Sequence, residues 1–457
     1  MRCPLRLLAA VLCLLSGLAG AAPLALTNVT ILDATGRAPI ESGVIVMDKG
    51  RITAVGAART VKIPRGAKIL DKTGKYVIPG LMNANVHLDL NLDLDSLLRF
   101  RSRYADIVVE AAQLALKTGQ TTVFDTWGPY PDLKAARERI NSGKDVGARI
   151  FFAGNIIGMG GPISSDFWEI FIKALPKDTV DGVNKRWTQD VGPELLWDTP
   201  DEVGRKVAQY AAHDDVDFLK YLANGHIKES LTEFSQRSQD AIVRSGHDAG
   251  KVVQAHVTSL EGIKAAMTAG VDILTHCNMM SERTTPPEII RKMVEKGVYC
   301  SIVSTTKASR AGDSTNADSM INIKNMIEAG VPLMLMTDAG IDPAIHRVAG
   351  PAEVDKGSSL VVGHFAALRG LEEIGVDPMA ILQIATINVA KGYKVDKNFG
   401  TLEEGKYADM VVLNADPFIA ARNYEAIDMV IKAGEVVDLG KLPSAPLISN
   451  QKIMPQD

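Results

Sequence analysis

Two rhythms of apolar and polar residues divide this chain. Up to residue 80 the apolar residues fall in short β-rich runs, at 26–31, 43–47 and 51–55, with Asp48-Lys49-Gly50 as a turn between the last two. That pattern predicts a hairpin within a small β unit. From about 82 to 393 the rhythm changes. Extended apolar runs, one ending at His87 and others at 121–125, 149–153, 216–221, 252–257, 271–276, 298–303 and 331–337, alternate with helical stretches at 107–117, 133–140, 203–212, 238–249, 260–269, 287–296, 321–329 and 357–374. Eight strands, each followed by a helix, imply a closed parallel (β/α)8 TIM barrel. Strand patterns return at 410–413, 429–432 and 435–438. The simplest arrangement is an α/β chain whose two ends share one small β-sandwich domain, 23–80 and 399–445, around a barrel at 81–398.

Residues 155–200 interrupt the alternation with Gly158-Met159-Gly160-Gly161-Pro162 and three tryptophans, Trp168, Trp187 and Trp197. A barrel connection of that length reads as a lid or binding loop. The glycines lack the spacing of a dinucleotide fingerprint and open no helix, so nucleotide binding is not expected there.

Composition adds an address and removes some partners. The first 22 residues have Arg2 and Arg6, an apolar run at 7–15 and small residues up to Pro23, the make-up of a cleavable secretory signal; an uncleaved anchor is the alternative. A secreted or periplasmic protein is expected, with no membrane contact after cleavage. The formal net charge of −4 gives no reason to expect nucleic acid as a partner. Of four cysteines, Cys3 and Cys13 leave with the signal. Cys277 and Cys300 are expected as two buried thiols, too few for a disulfide framework.

Chemistry concentrates at strand ends. Pro79-Gly80-Leu81 leads into a strand that ends in Asn85-Val86-His87, and residues two apart in a strand share a face. Lys220, His256, His276 and Asp338 occupy the ends of the fourth, fifth, sixth and eighth strand patterns. Each has a bland reading alone: a lysine reaching solvent, a hydrogen-bonded core histidine, an aspartate capping the next segment. In a parallel barrel, however, the C-terminal strand ends form one mouth, so all six converge, and their joint occurrence points to a metal site.

With these residues, together with Asp338-Ala339-Gly340 and the 400–409 stretch, the chain resembles the amidohydrolase superfamily, in its imidazolonepropionase-like, dipeptidase-related branch. The resemblance covers nearly everything after the signal. It implies a hydrolase with one or two divalent metals per subunit, zinc foremost, and a carboxylated Lys220 bridging them. His256 and His276 would hold one metal, and His87 and Asp338 the other. Asp338 would also act as the catalytic base. The usual first motif is His-x-His; Asn85 stands where its first histidine would be, and an amide oxygen is a weaker zinc donor than imidazole. The metal at His87 and Asp338 is therefore expected to be the weaker one. His226, His346 and Arg347 border the mouth as substrate-binding candidates. The implied activity is hydrolysis of an amide, peptide-like or N-acyl amino acid, in a small-molecule or peptide substrate, by a protein that can form a homo-oligomer. A one-metal deaminase or cyclic-amide hydrolase, and a non-catalytic homologue, are the alternatives.

Overall fold

The computed structural model describes residues 22–89, 92–167, 169–225, 231–279, 283–310, 315–341 and 359–449. Apart from Ala22, the signal segment lies outside the described residues, as do His226, His346 and Arg347. Among the described residues no helix is long and apolar enough to cross a membrane.

Strands β1 (Leu24–Ile31), β2 (Ile40–Asp48), β3 (Arg51–Ala57), β4 (Lys68–Asp71) and β5 (Tyr76–Pro79) open the chain. The barrel strands follow: β6 (Leu81–Val86), β7 (Gln120–Asp125), β8 (Arg149–Phe152), β9 (Ile156–Ile157), β10 (Phe218–Leu222), β11 (Val252–His256), β12 (Ile273–Thr275), β13 (Tyr299–Val303) and β14 (Leu333–Met336). β15 (Met410–Leu413), β16 (Ile427–Lys432) and β17 (Glu435–Val436) come last. β15 pairs antiparallel with β5, so the two chain ends build one eight-stranded sheet. The two-layered sandwich was the finer expectation; what the pairing gives is this single sheet, closed over Leu26, Ile45, Val77, Met410 and Val412. It joins the barrel at Pro79-Gly80-Leu81, where a Cβ on Gly80 would run into Thr121.

The expected TIM-barrel-like α/β fold is present. β6–β7–β8 and β9–β14 form two parallel runs that meet at two seams. At the first, the Asp338 amide donates to the Asn85 carbonyl and the His87 amide to the Ala339 carbonyl, both at 3.0 Å. At the second, the third strand breaks at Gly154, whose φ of +75° separates β8 from β9. Tyr210, on the helix Pro200–Ala211, fills the break: its hydroxyl donates to the Ala153 carbonyl at 2.6 Å and accepts from the Asn155 amide at 3.1 Å. A side chain at Gly154 would occupy that hydroxyl's place. Below the mouth the barrel is packed solid. The Tyr393 ring stacks on Phe124 at 3.8 Å and meets Phe218 edge-on at 4.8 Å. Rings of this size bury large apolar areas and keep water from entering beneath the site.

The interrupting segment is partly helical, with Glu169–Ile172, Lys177–Thr188 and a 3-10 turn at Pro193–Trp197. One cysteine expectation is corrected. Cys277 and Cys300 are joined as a disulfide, their Cα atoms 6.0 Å apart. Parallel pairing sets Leu274 opposite Cys300, so the residues just past β12 return over β13, an adjacency hidden by 23 residues of sequence.

Candidate active site

The site begins with an irregularity in β6. Asn83 pairs with Val123 but Val86 with Asp125, so β6 carries one extra residue, a β-bulge. Below it, Met82 and Ala84 pack with Phe124 and Phe218 inside the barrel. Above it, Asn85 and His87 take the interior positions, as the alternation between them requires. Asn83 turns the other way and staples the first seam, donating to Gln120 Oε1 at 2.9 Å and Thr337 Oγ1 at 2.8 Å. Lys220 and His256 need no such device. They lie within regular strands, β10 and β11, on interior positions shared with Phe218 and Val252.

His276 and Asp338 stand just past the ends of β12 and β14, both with left-handed backbones at φ +65° and +55°. Non-glycine residues rarely adopt this conformation, at a cost of about 1–3 kcal/mol each, and it turns both side chains off the strand line into the mouth. All the described candidates but one, His87, Lys220, His256, His276 and Asp338, line a single cavity of about 190 Å³. Asn85 lies directly behind it, fully buried.

Asp338 is the hub. Its Oδ1 accepts from Asn85 Nδ2 at 2.9 Å, lies 3.1 Å from His87 Nε2 and 3.9 Å from His276 Nε2. Every hydrogen bond found for this carboxylate among the described residues goes to Oδ1, while 38 % of the side chain remains open. Burial pushes the carboxyl up, but the charge of His276, the bond from His87 and the charge of Lys220 outweigh it and hold Asp338 well below the usual carboxylate range. Across the barrel the imidazoles of His256 and His276 meet edge-on, centroids 4.8 Å apart. Burial drives the Lys220 amine down to about 8 against the pull of Asp338 and Asp125. A lysine in that state is about one-tenth neutral at pH 7, far more than a lysine in water, and can act as a nucleophile.

These donors fit the divalent metal that the resemblance implies. Three imidazoles, a carboxylate and a buried amine able to carry a carbamate face one cavity, a donor set suited to borderline cations. No three His, Cys, Asp or Glu side chains among the described residues are already gathered as a cage. His87 and Asp338 instead bond to each other, a contact that a cation between them would replace. Asn85, expected as the weaker ligand, is engaged at both ends of its amide by protein neighbours. Its Oδ1 accepts the Thr126 hydroxyl and its amide nitrogen faces Asp338.

Several participants were not singled out in the sequence. Thr126 bonds both Asn85 and Lys220. Trp127 walls the cavity, its carbonyl 3.3 Å from His87 Nδ1 and its indole donating to Asn155 Oδ1 at 3.1 Å. Asp125, raised to about 6 by burial against the pull of His87, accepts the Leu88 and Trp127 amides. Asp125-Thr126-Trp127 ends the second strand pattern, and its polar pair at a strand end is the signal that would have found it. Ile156, Met159 and Phe167, from the interrupting segment, and Met279 complete an apolar wall.

Comparison with known proteins places this geometry. The Amidohydrolase family model matches residues 76–437. A molinate hydrolase structure is 33% identical, covering 96% of this chain and 99% of its own, with a TM-score of 0.89. Phenylurea hydrolase B is 32% identical, with coverages of 94% and 100% and a TM-score of 0.89. The 5-methylthioadenosine/S-adenosylhomocysteine deaminase of Symbiobacterium thermophilum is 22% identical over 435 residues, 88% of this chain and 87% of the deaminase. By the family match across most of its length, this chain belongs to the amidohydrolase family and is a hydrolase of carbon–nitrogen bonds.

Proposed function

We propose that the chain hydrolyses the carbon–nitrogen bond of a small, uncharged N-substituted amide or urea. The observation that carries this reading is the cavity wall. Trp127, Ile156, Met159, Phe167 and Met279 surround the polar cluster, and Trp127 and Phe167 stand with ring centroids 5.4 Å apart. Such a wall suits an aryl or alkyl substituent. Among the described residues lining the cavity there is no guanidinium, and the one amine is the buried Lys220. Among the described lining residues the carboxylate of a dipeptide or N-acyl amino acid would meet only Lys220, Thr258 and the imidazoles of the polar cluster. The likeness to phenylurea hydrolase B and to molinate hydrolase supports the same choice.

Metal dependence is typical of the family. In this reading a divalent cation, zinc by the donor set, would be held by His256 and His276 with a carboxylated Lys220, and a second by His87 with Asp338. When bound, it supplies Lewis acidity and lowers the pKa of water. Asp338 accepts a proton from the attacking water on the oxygen that Asn85 leaves free, and returns it to the departing nitrogen. The hydrogen bonds to Oδ1 fix the carboxylate plane, so the transfer needs no reorientation. Lys220 favours this reading over a one-metal deaminase, which has no need of a bridging carbamate. Export rests on residues 1–22 alone, and the mass of the mature chain tests it.

The discriminating experiment is a turnover panel of phenylureas and anilides beside dipeptides and N-acyl amino acids, on wild type and on Phe167→Ala. Neutral aryl substrates are expected to lead, and the variant to lose that preference through KM. Faster turnover of the carboxylate-bearing compounds would sink the substrate assignment.

A further inference from the structure

Thr126 follows β7, is fully buried, and makes two hydrogen bonds that the reading above does not use. Lys220 Nζ donates to its hydroxyl oxygen at 3.0 Å. The hydroxyl in turn donates to Asn85 Oδ1. A hydroxyl has one hydrogen to give; with the lysine nitrogen on its acceptor side, that hydrogen goes to Asn85. A carbamate nitrogen on Lys220 would keep one N–H and could make the same bond.

This settles which end of the Asn85 amide faces which neighbour. Its oxygen is taken by Thr126, so its NH2 points at Asp338 Oδ1, 2.9 Å away. The flipped amide would set oxygen against carboxylate oxygen and nitrogen against a hydroxyl hydrogen, losing both bonds. The contacts thus run unbroken across the mouth: Lys220 on β10, Thr126 past β7, Asn85 on β6, Asp338 past β14.

We propose that Thr126 is a positioning residue for the hydrolytic reaction: it locks Asn85 as a hydrogen-bond donor to Asp338, so that Asn85 aims the carboxylate and is not itself a metal ligand. This rests on the reading of Asp338 as the base. Asn85 engages Oδ1 and leaves the other oxygen for the water. Buried hydrogen-bonded chains of this kind orient the groups that do the chemistry, and breaking one link typically costs about 10–100-fold in activity or metal affinity.

The test uses the full-length, metal-loaded enzyme and four variants. Thr126→Val keeps the shape and removes the hydroxyl; its kcat should fall about 10–100-fold with KM for a neutral substrate nearly unchanged. Thr126→Ser restores the hydroxyl and should recover most of that loss. Asn85→Ala should retain as much metal per chain as wild type after dialysis against a mild chelator, because no ligand is removed. Equal losses in Thr126→Val and Thr126→Ser, or loss of a metal equivalent in Asn85→Ala, overturn the proposal. Asp338→Asn separates the two levels of the argument. If it is inactive while Thr126→Val turns over normally, the positioning role fails and the base assignment stands. Near wild-type turnover in Asp338→Asn removes the base assignment itself, and the positioning role with it.

Discussion

The two sides of the barrel mouth hold the same kinds of side chain by opposite means. On the β10–β11 side, Lys220 and His256 sit in unbroken parallel strands, and ordinary alternation points them inward. At the β6–β14 seam, Asn85, His87 and Asp338 depend on a bulge, a left-handed residue and hydrogen bonds between the side chains themselves. His276 stands between these cases, leaving a regular strand through a left-handed turn. The regular side is a scaffold that needs no correction. The seam joins the first strand to the last, where register has no neighbouring hairpin or short connection to fix it. It is stapled by Asn83 and tuned by the Thr126–Asn85 chain.

The comparison breaks most severely at Lys220. Lys220→Ala removes the one amine from the regular side and is expected to reduce turnover to background and to strip metal from the chain; full metal content with turnover would show that the regular side does not carry the shared ligand. At the seam, Asp338→Asn keeps the size of the side chain and abolishes its basicity. Its kcat should fall about 10²–10⁴-fold. A residual rate within a few-fold of wild type would place the base elsewhere.

Asn83→Ala tests the staple without touching the cavity. It leaves the Gln120 and Thr337 side chains and the Thr337 amide short of a partner in a buried seam. An expected loss of about 1–3 kcal/mol in denaturant unfolding follows, with activity falling more than stability if the seam aims Asp338. A matching mutation on the regular side, Gln239→Ala, removes the buried bond to the Tyr221 hydroxyl. It should cost similar stability with little change in kcat. Equal catalytic effects from the two would erase the distinction between scaffold and seam.

The smallest effect separates acid damage to the fold from acid damage to the site. His364 lies away from both sides, fully buried, and donates from Nε2 to the Thr118 carbonyl at 3.0 Å. Burial lowers it to about 3. With its folded value depressed below the unfolded one, the unfolded chain binds the extra proton first. Stability is therefore lost as pH falls from about 6.5 toward 3. At pH 5 the loss is about 2 kcal/mol. His364→Gln should flatten that slope while leaving the pH dependence of kcat unchanged. An unaltered slope would mean that other groups set the acid limit.

The sequence by itself determined the barrel, because eight apolar runs alternating with amphipathic helices admit few other packings, and it determined that the candidate site residues would gather at strand ends. Lys220 and His256 were legible for the same reason: a period of two, read along a regular strand, is a statement about direction in space. His87 and Asp338 were legible as residues but not as geometry. The bulge between Asn83 and Val86 and the left-handed turns at His276 and Asp338 arise from how strands meet around a closed barrel, and a local pattern carries no record of that. Thr126 stayed hidden because a threonine at a strand end looks like any β-branched filler until β6 and β10 bring Asn85 and Lys220 to its hydroxyl. The pairing of Cys277 with Cys300 has the same origin. Only the tertiary structure decided what Asn85 faces, since the direction of an amide is set by its hydrogen-bond partners, and those lie 41 and 253 residues away along the chain.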